Sequence, residues 1–149
     1  MKKVLLRLLL LLFLTLSGCT SPLNRFSDLE PSTVVVTENK IKGSVKEEQI
    51  ESVAEKITLT FENLTDTAYY YGVDFTLEKE LKDKWYQIPF DEDVAFIQIA
   101  MLLEANATNE EIIDLSTYFE DLPTGNYRVI KHFQAENQSV TIAPTFEVK

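Results

Sequence analysis

The chain has one cysteine, Cys19, and one histidine, His132, two residue types that catalysis with a nucleophile and a base often uses. Hydrolytic catalysis needs a nucleophile, a base and an orienting group that converge on one point. His132 lies between Lys131 and Phe133 in a stretch with strand character, and no cysteine is left free, because Cys19 is the predicted lipidation site described below. We therefore assign no catalytic residue, expect no cofactor, and predict that the protein is not an enzyme.

The residues before Cys19 have the composition of an export signal. Two lysines follow the first methionine, an apolar run covers Leu8 to Leu14, and Ser17-Gly18 supplies the small residues that a signal peptidase requires. The apolar run is shorter than the ~20 residues of a membrane-spanning helix. We predict that residues 1–18 are a signal peptide that is removed.

The pair Ser17-Gly18 followed by Cys19 resembles the lipobox of bacterial lipoproteins. In that family the cysteine sulfur takes a diacylglycerol, and cleavage leaves the cysteine as the new N-terminus. The resemblance implies that acyl chains on Cys19 hold the protein at the outer face of the cell membrane, since two or more chains give stable anchoring. Residues 19–32 are polar, contain Pro22 and Pro31, and are predicted to be a flexible tether.

The charge of the chain argues against a nucleic-acid partner. The chain has 14 basic and 24 acidic residues. Loss of residues 1–18 removes three of the basic residues and none of the acidic ones, which leaves a formal charge of −13. Binding to phosphate groups depends on clustered Lys and Arg, and an anionic bilayer surface repels an acidic domain. We expect the lipid alone to hold the domain to the membrane.

The run Asp91-Glu92-Asp93 offers carboxylate oxygens of the kind that calcium prefers. Its spacing matches no calcium-binding loop, and short acidic runs are usually solvated. We interpret the run as an exposed acidic loop and predict no metal site, with calcium kept only within the alternative function given below.

The aromatic residues are the best candidates for binding. Tyr69, Tyr70 and Tyr71 lie in one predicted strand, and Trp85 and Tyr86 lie in the next, so we expect the two segments to pair in a hairpin. Side chains alternate between the two faces of a strand, which sends some of these rings outward. Core packing explains most of the rings, and an exposed ring would stack on a sugar or anchor a protein partner. We name Tyr69, Tyr71, Trp85 and Tyr86 as candidate binding residues.

The segments that position these residues have the period and composition of β-strands. Strands are predicted at Thr33–Thr37, Lys56–Glu62, Tyr69–Glu80, Lys84–Ile88, Ala95–Leu103, Thr108–Leu115, Asn126–Gln134 and Val140–Val148. The polar stretch 38–55 reads as a loop or a short helix. Pro89 ends the fourth strand, and Pro144 predicts a bulge or an edge in the last one.

Short strands about ten residues apart, without a long amphipathic helix, predict an all-β fold. We expect an antiparallel sandwich of two sheets with about seven strands in a single domain, residues 33–149. An up-and-down barrel is the alternative. The turn at Leu122–Asn126 leads into Tyr127, as in a tyrosine corner, where the hydroxyl bonds a backbone group a few residues upstream.

Five segments, taken in order, have a familiar arrangement: Ile57–Asn63, Tyr71-Gly72 with Phe75–Glu78, Lys84–Tyr86, Ile113–Leu115 and Leu122–Arg128. From about Val34 onward, the chain resembles the bacterial immunoglobulin-like domains of small exported lipoproteins and of extracellular parts of membrane proteins. The resemblance implies an immunoglobulin-like sandwich. Antibody-type domains place a disulfide cysteine two residues after the corner tyrosine, and this chain has Val129 there, so we expect aliphatic packing instead.

The sequence as a whole predicts a lipid-anchored, extracytoplasmic bacterial protein. Its domain is predicted to be a non-enzymatic interaction module of the cell envelope, with another envelope protein as its partner. The alternative is a receptor for a cell-wall glycan, a small molecule or calcium, which would use the same rings and acidic loops. Sandwich domains host many functions, so the fold alone does not decide between the two.

Overall fold

The computed structural model describes residues 29–91 and 93–149, so the predicted signal segment, Cys19 and Glu92 lie outside the described residues. Within these ranges the chain forms eleven β-strands and one 3-10 turn, Leu115–Thr117. The strands are β1 Ile41–Val45, β2 Gln49–Ile50, β3 Lys56–Asn63, β4 Tyr69–Tyr71, β5 Thr76–Leu81, β6 Lys84–Ile88, β7 Met101–Leu103, β8 Thr108–Asp114, β9 Gly125–Ala135, β10 Gln138–Ile142 and β11 Thr145–Val148.

The strands form two sheets, which confirms the predicted two-sheet all-β fold. The smaller sheet has the order β1-β3-β8. The larger sheet has eight strands around the long strand β9, which pairs with β5 and β4 on one edge and with β11 and β10 on the other. The described strands outnumber the seven expected because two long predicted strands, Tyr69–Glu80 and Val140–Val148, are each interrupted and because β1 and β2 form in the polar stretch 38–55.

The core lies between the two sheets. Ile57, Leu59 and Phe61 of β3 are fully buried, as their alternation predicts. The ring of Phe61 meets Tyr71 and Phe133 of the larger sheet edge-on, with centroids 5.3 and 5.2 Å apart. Aromatic pairs of this geometry each contribute about 0.5–1.5 kcal/mol beyond the burial of their surface. These rings join the two layers.

The predicted tyrosine corner is confirmed. Tyr127 is fully buried, and its hydroxyl donates a hydrogen bond to the carbonyl of Pro123 at 2.5 Å. Gly125 starts the strand with φ of +140°, a conformation that favours glycine. Val129, where antibody-type domains have a cysteine, is fully buried, so aliphatic packing replaces the bridge at this position.

The first predicted strand is wrong. Residues 33–37 form no strand, although the backbone N–H of Thr37 donates to the carbonyl of Thr141 at 2.8 Å. The first strand is instead β1, inside the polar stretch 38–55 that is predicted to be a loop or a short helix. Ile41 and Val45 of β1 point into the core on either side of Gly43. A Cβ atom at Gly43 would lie 2.6 Å from the Cδ1 atom of the buried Ile142, so a larger residue that completed the alternation would force Ile142 to shift.

The predicted strand Tyr69–Glu80 is interrupted between Tyr71 and Thr76 and forms β4 and β5. The hairpin with the next strand joins β5 to β6 through Lys82 and Asp83, which both have positive φ, as in a two-residue type I′ turn. β4 lies beyond the interruption and pairs with β7 and β9. The predicted pairing of the three tyrosines with Trp85 and Tyr86 is therefore wrong.

The predicted strand Ala95–Leu103 is reduced to its last three residues, β7. Its partner β4 ends at Tyr71, so residues 95–100 have no continuing β4 edge to pair with. The closing strand is interrupted before β11, at Ala143-Pro144, as Pro144 predicts. Contacts with the domain begin in the segment assigned to the tether: Leu29 packs against the core, and the N–H of Ser32 donates to the carbonyl of Trp85 at 2.7 Å.

Candidate functional site

The four candidate binding residues lie in two separate environments. Tyr69 and Tyr71 are 0% and 3% exposed and belong to the core. Trp85 and Tyr86 are half-buried in β6, on the hairpin formed with β5. The structure therefore does not bring the four rings together into one surface. Their role in binding stays a prediction.

Trp85 is held by its neighbours. The guanidinium of Arg128 lies over the indole, 4.6 Å from the ring centroid, and is itself paired with the buried carboxylate of Glu78 at 2.6 Å. Trp85 also lines a groove of about 660 Å³, together with Glu38, Glu48, Glu80, Asn126, Glu147 and residues of β1 and β11. This groove is acidic and open.

A second surface is apolar, and we call it the edge patch: Tyr70, Ile97, Ile99 and Leu102. Their exposed fractions are 54%, 65%, 50% and 39%. Sequence reasoning named none of them as a binding residue. The signal was present, because the segment Ala95–Leu103 is apolar on both faces, which is typical of a strand that is covered on both sides or that leaves an apolar patch exposed.

The larger sheet positions the edge patch. Tyr70 of β4 lies directly opposite Leu102 of β7, and Gln134 of β9 lies opposite Tyr70 on its other side. Residues before β7 extend the surface, because Phe96 packs into a cluster of rings. Its ring lies 5.7 Å, centroid to centroid, from each of Phe75, Phe90 and Tyr118. This anchor leaves Ile97 and Ile99 exposed.

Two shallow cavities cross the edge patch. The first, about 270 Å³, is lined by Tyr70, Tyr71, Gly72, Asp74, Ile99, Ala100, His132 and Gln134. The second, about 470 Å³, is lined by Asp74, Phe96, Ile97, Gln98, Ile99 and Ala100. Asp74 is exposed and belongs to both cavities, and neither is lined by a Lys or Arg residue. The surface is therefore apolar with a negative charge beside it.

An ion pair that joins the two sheets lies behind the first cavity. The ammonium of Lys131, on β9, is fully buried and lies 3.0 Å from the carboxylate of Glu111, on β8. It also donates to the carbonyl of Gly72 at 2.7 Å, beside the interruption between β4 and β5. Burial lowers the pKa of Lys131 and raises the pKa of Glu111, and the attraction between the two charges partly offsets both effects.

The remaining groups that sequence reasoning considered for chemistry have structural contacts. The Nδ1 atom of His132 lies 2.9 Å from the hydroxyl of Thr141, as expected for an exposed strand histidine with a polar partner. In the predicted acidic loop, the carboxylate of Asp91 accepts a hydrogen bond from the backbone of Glu120. Residues 29–91 and 93–149 contain no cluster of three or more His, Cys, Asp or Glu side chains that could hold a metal ion.

Comparison with known families assigns the fold. The family model of the bacterial Ig-like domain matches residues 37–147, and the chain belongs to this family. Domains of the family are usually extracellular and typically non-catalytic. A search of curated proteins finds no match to the chain. In the part of the chain that the structure describes, no helix has the length and apolar character needed to cross a bilayer.

Proposed function

We propose that the protein is a non-enzymatic protein-interaction module of the bacterial cell envelope, held at the outer face of the membrane by acyl chains on Cys19. The observation that carries the proposal is the edge patch, which exposes four large apolar side chains on a chain with a net charge of −10. Exposed apolar patches of this kind mark protein interaction sites. Membership of a family of typically non-catalytic domains supports it.

The energetics favour a protein partner. Each Å² of apolar surface removed from water stabilises a complex by about 25 cal/mol, so the side chains of the edge patch can supply the buried centre of an interface. The cavities across the patch are shallow and open rather than enclosed. A small molecule usually binds in a concave site that buries most of its surface.

The proposed lipid anchor places this surface within reach of other envelope proteins. Nine residues separate Cys19 from Leu29, the first described residue. Extended at ~3.4 Å per residue, they would span roughly 30 Å. The patch would then lie outside the headgroup region of the bilayer, where neighbouring lipoproteins and the outer domains of membrane proteins are found.

The alternative of a ligand receptor would use the groove beside Trp85. We favour the edge patch because Arg128 already covers one face of the Trp85 ring and pairs with Glu78, so a sugar could stack only on the other face.

The first experiment is chemical crosslinking of the full-length acylated protein in its native membrane, followed by mass spectrometry. We expect a reproducible protein partner whose yield falls at least fivefold in Cys19→Ala, which removes the acylated sulfur. The matched control is Ser21→Ala, which leaves the lipobox intact. A protein that stays in the membrane without any partner above background would contradict the proposal.

A further inference from the structure

We propose that the edge patch binds an extended apolar segment of another protein, flanked by basic residues, which adds to the larger sheet as a new strand beside β7. This inference rests on the proposed function and adds the binding mode and the chemistry of the partner. Strand addition to a sheet edge combines backbone hydrogen bonds, which give affinity, with side-chain contacts, which give specificity.

The backbone of β7 is suited to strand addition. β7 is the last strand on its side of the larger sheet and pairs only with β4 among the described strands. On its other side, the side-chain amide of Asn109 donates to the carbonyl of Leu102 at 3.0 Å. A backbone N–H of an added strand can replace this side-chain donor. A sheet edge whose backbone is not paired with a further strand is a template for another chain.

The side chains around β7 would contact the added strand. Ile97 and Ile99 are the first and last residues of a three-residue turn, in which the N–H of Ile99 donates to the carbonyl of Ile97 at 3.0 Å. Both side chains project to the surface on the approach to β7, and Leu102 and Tyr70 continue the apolar surface onto the sheet. An added strand with apolar residues at alternate positions would cover them, because alternate side chains share one face.

The acidic residues around the edge patch favour a partner segment with basic ends. Asp74 lines both cavities, and the exposed residues Asp93 and Glu104 stand at the two ends of the uncharged run 94–103. The buried cation Lys131 is paired with Glu111 and also attracts Asp74, so these three groups together carry one net negative charge. Lys or Arg residues on either side of the apolar segment would meet these carboxylates. A second copy of this chain, or an anionic lipid surface, would bring negative charge against negative charge.

The test selects binders from a displayed library of random twelve-residue peptides. The target is the full-length acylated protein in phosphatidylcholine nanodiscs, with empty nanodiscs as the counter-selection. We expect the enriched peptides to alternate apolar residues and to carry Lys or Arg at their ends. Their dissociation constants should rise at least tenfold in Ile99→Asp and about fivefold in Asp74→Asn, and the loss in Asp74→Asn should disappear at high salt.

The matched control is Ile112→Asp, because Ile112 is 67% exposed but lies on β8 of the smaller sheet. We expect this variant to bind the peptides as tightly as the parent protein. Circular dichroism and thermal unfolding establish that each variant is folded. The inference is overturned if no peptide is enriched, if the enriched peptides are acidic, or if Ile99→Asp binds them unchanged.

Two other occupants give distinct results. A dimer of the full-length protein that Ile99→Asp dissociates would show that a second copy covers the patch, and binding of the acyl-free protein to anionic vesicles would show that lipid covers it. Either result overturns the strand-addition mode. If the membrane partner found by crosslinking is lost in Ile99→Asp while the library yields no peptide, the proposed function stands and only the binding mode fails.

Discussion

Lys79 is the residue that sequence reasoning missed at the tyrosine corner. Its ammonium is nearly buried and donates to the carbonyls of Pro123 and Thr124, both at 2.7 Å, and to the hydroxyl of Tyr127 at 2.8 Å. The Tyr127 hydroxyl thus accepts from Lys79 and donates to Pro123. The lysine fastens the turn before β9 to β5, which explains why a charged residue is tolerated in the core.

Burial lowers the pKa of Lys79 to about 8. In the unfolded chain the pKa of a lysine is near ~10.4, so between pH 8 and that value the unfolded state binds more protons than the folded state. The free energy of unfolding therefore rises with pH in this window. We expect an increase of about 1 kcal/mol between pH 8 and pH 9, measured by urea unfolding.

The variant Lys79→Met should lose this increase, although it will be less stable at every pH. The matched control is Lys42→Met, which removes an exposed lysine of β1 and should keep the increase. Measurements stop below pH 9.5 because of Tyr127. Burial raises the pKa of Tyr127, so at higher pH the tyrosine ionises in the unfolded chain but not in the folded protein, and the free energy of unfolding falls. A flat profile in the parent protein would contradict the account of Lys79.

At the scale of the elements, β8 and β9 are joined across the core by the pair of Glu111 and Lys131. Removal of one partner from a buried ion pair leaves an uncompensated charge and lowers the free energy of unfolding by about 3–5 kcal/mol. Replacement of both partners by apolar residues of similar size changes the stability little. We expect Glu111→Leu to lose stability of that order in urea unfolding. The double variant with Lys131→Met should recover most of the loss, apart from the hydrogen bond to Gly72.

The control for this cycle is the exposed pair of Lys56 and Asp114, which lie 3.1 Å apart on β3 and β8. Substitution of Lys56 by Met should change the stability little, since exposed pairs are screened by water and salt. A double-variant loss equal to the sum of the losses in Glu111→Leu and in Lys131→Met alone would show that the pair contributes no specific coupling.

The strand that the sequence predicts best is β3, whose buried and exposed positions alternate and which pairs with β8 along most of its length. β8 and β9 are predicted close to their observed bounds, although Val129, Ile130 and Lys131 of β9 are buried in succession. β1 was missed because Gly43 occupies the position that would show the alternation. The segment Thr33–Thr37 was assigned as a strand from β-branched residues alone, but a strand also needs a partner edge. The interruption before β5 depends on tertiary contacts that the sequence does not display.

At the scale of the whole molecule, the candidate site combines residues that are far apart in the sequence. Tyr70 and Leu102 are separated by more than thirty positions, and only the pairing of β4 with β7 makes them neighbours. The aromatic residue types drew attention to Tyr69 and Tyr71, which are buried. Successive side chains of β4 point to opposite faces of the sheet, so Tyr70, between the two buried tyrosines, is exposed. The sequence alone could not show which face of this strand the core covers.

The net charge of the chain, −10, bears on the partner of the whole molecule. An acidic domain is kept apart from anionic lipid and from its own copies, which leaves the apolar edge patch available to a neutral or basic partner. This partner would meet the patch at the membrane surface, where the proposed anchor concentrates the domain near other envelope proteins.

The central claim is that the edge patch is the surface that contacts a partner. The most direct measurement introduces a photoreactive amino acid at position 99 of the full-length acylated protein, with position 112 as the control, and irradiates the native membrane. We expect a discrete protein adduct from position 99 and none from position 112. Adducts of equal yield from both positions, or adducts with lipid alone, would contradict the claim.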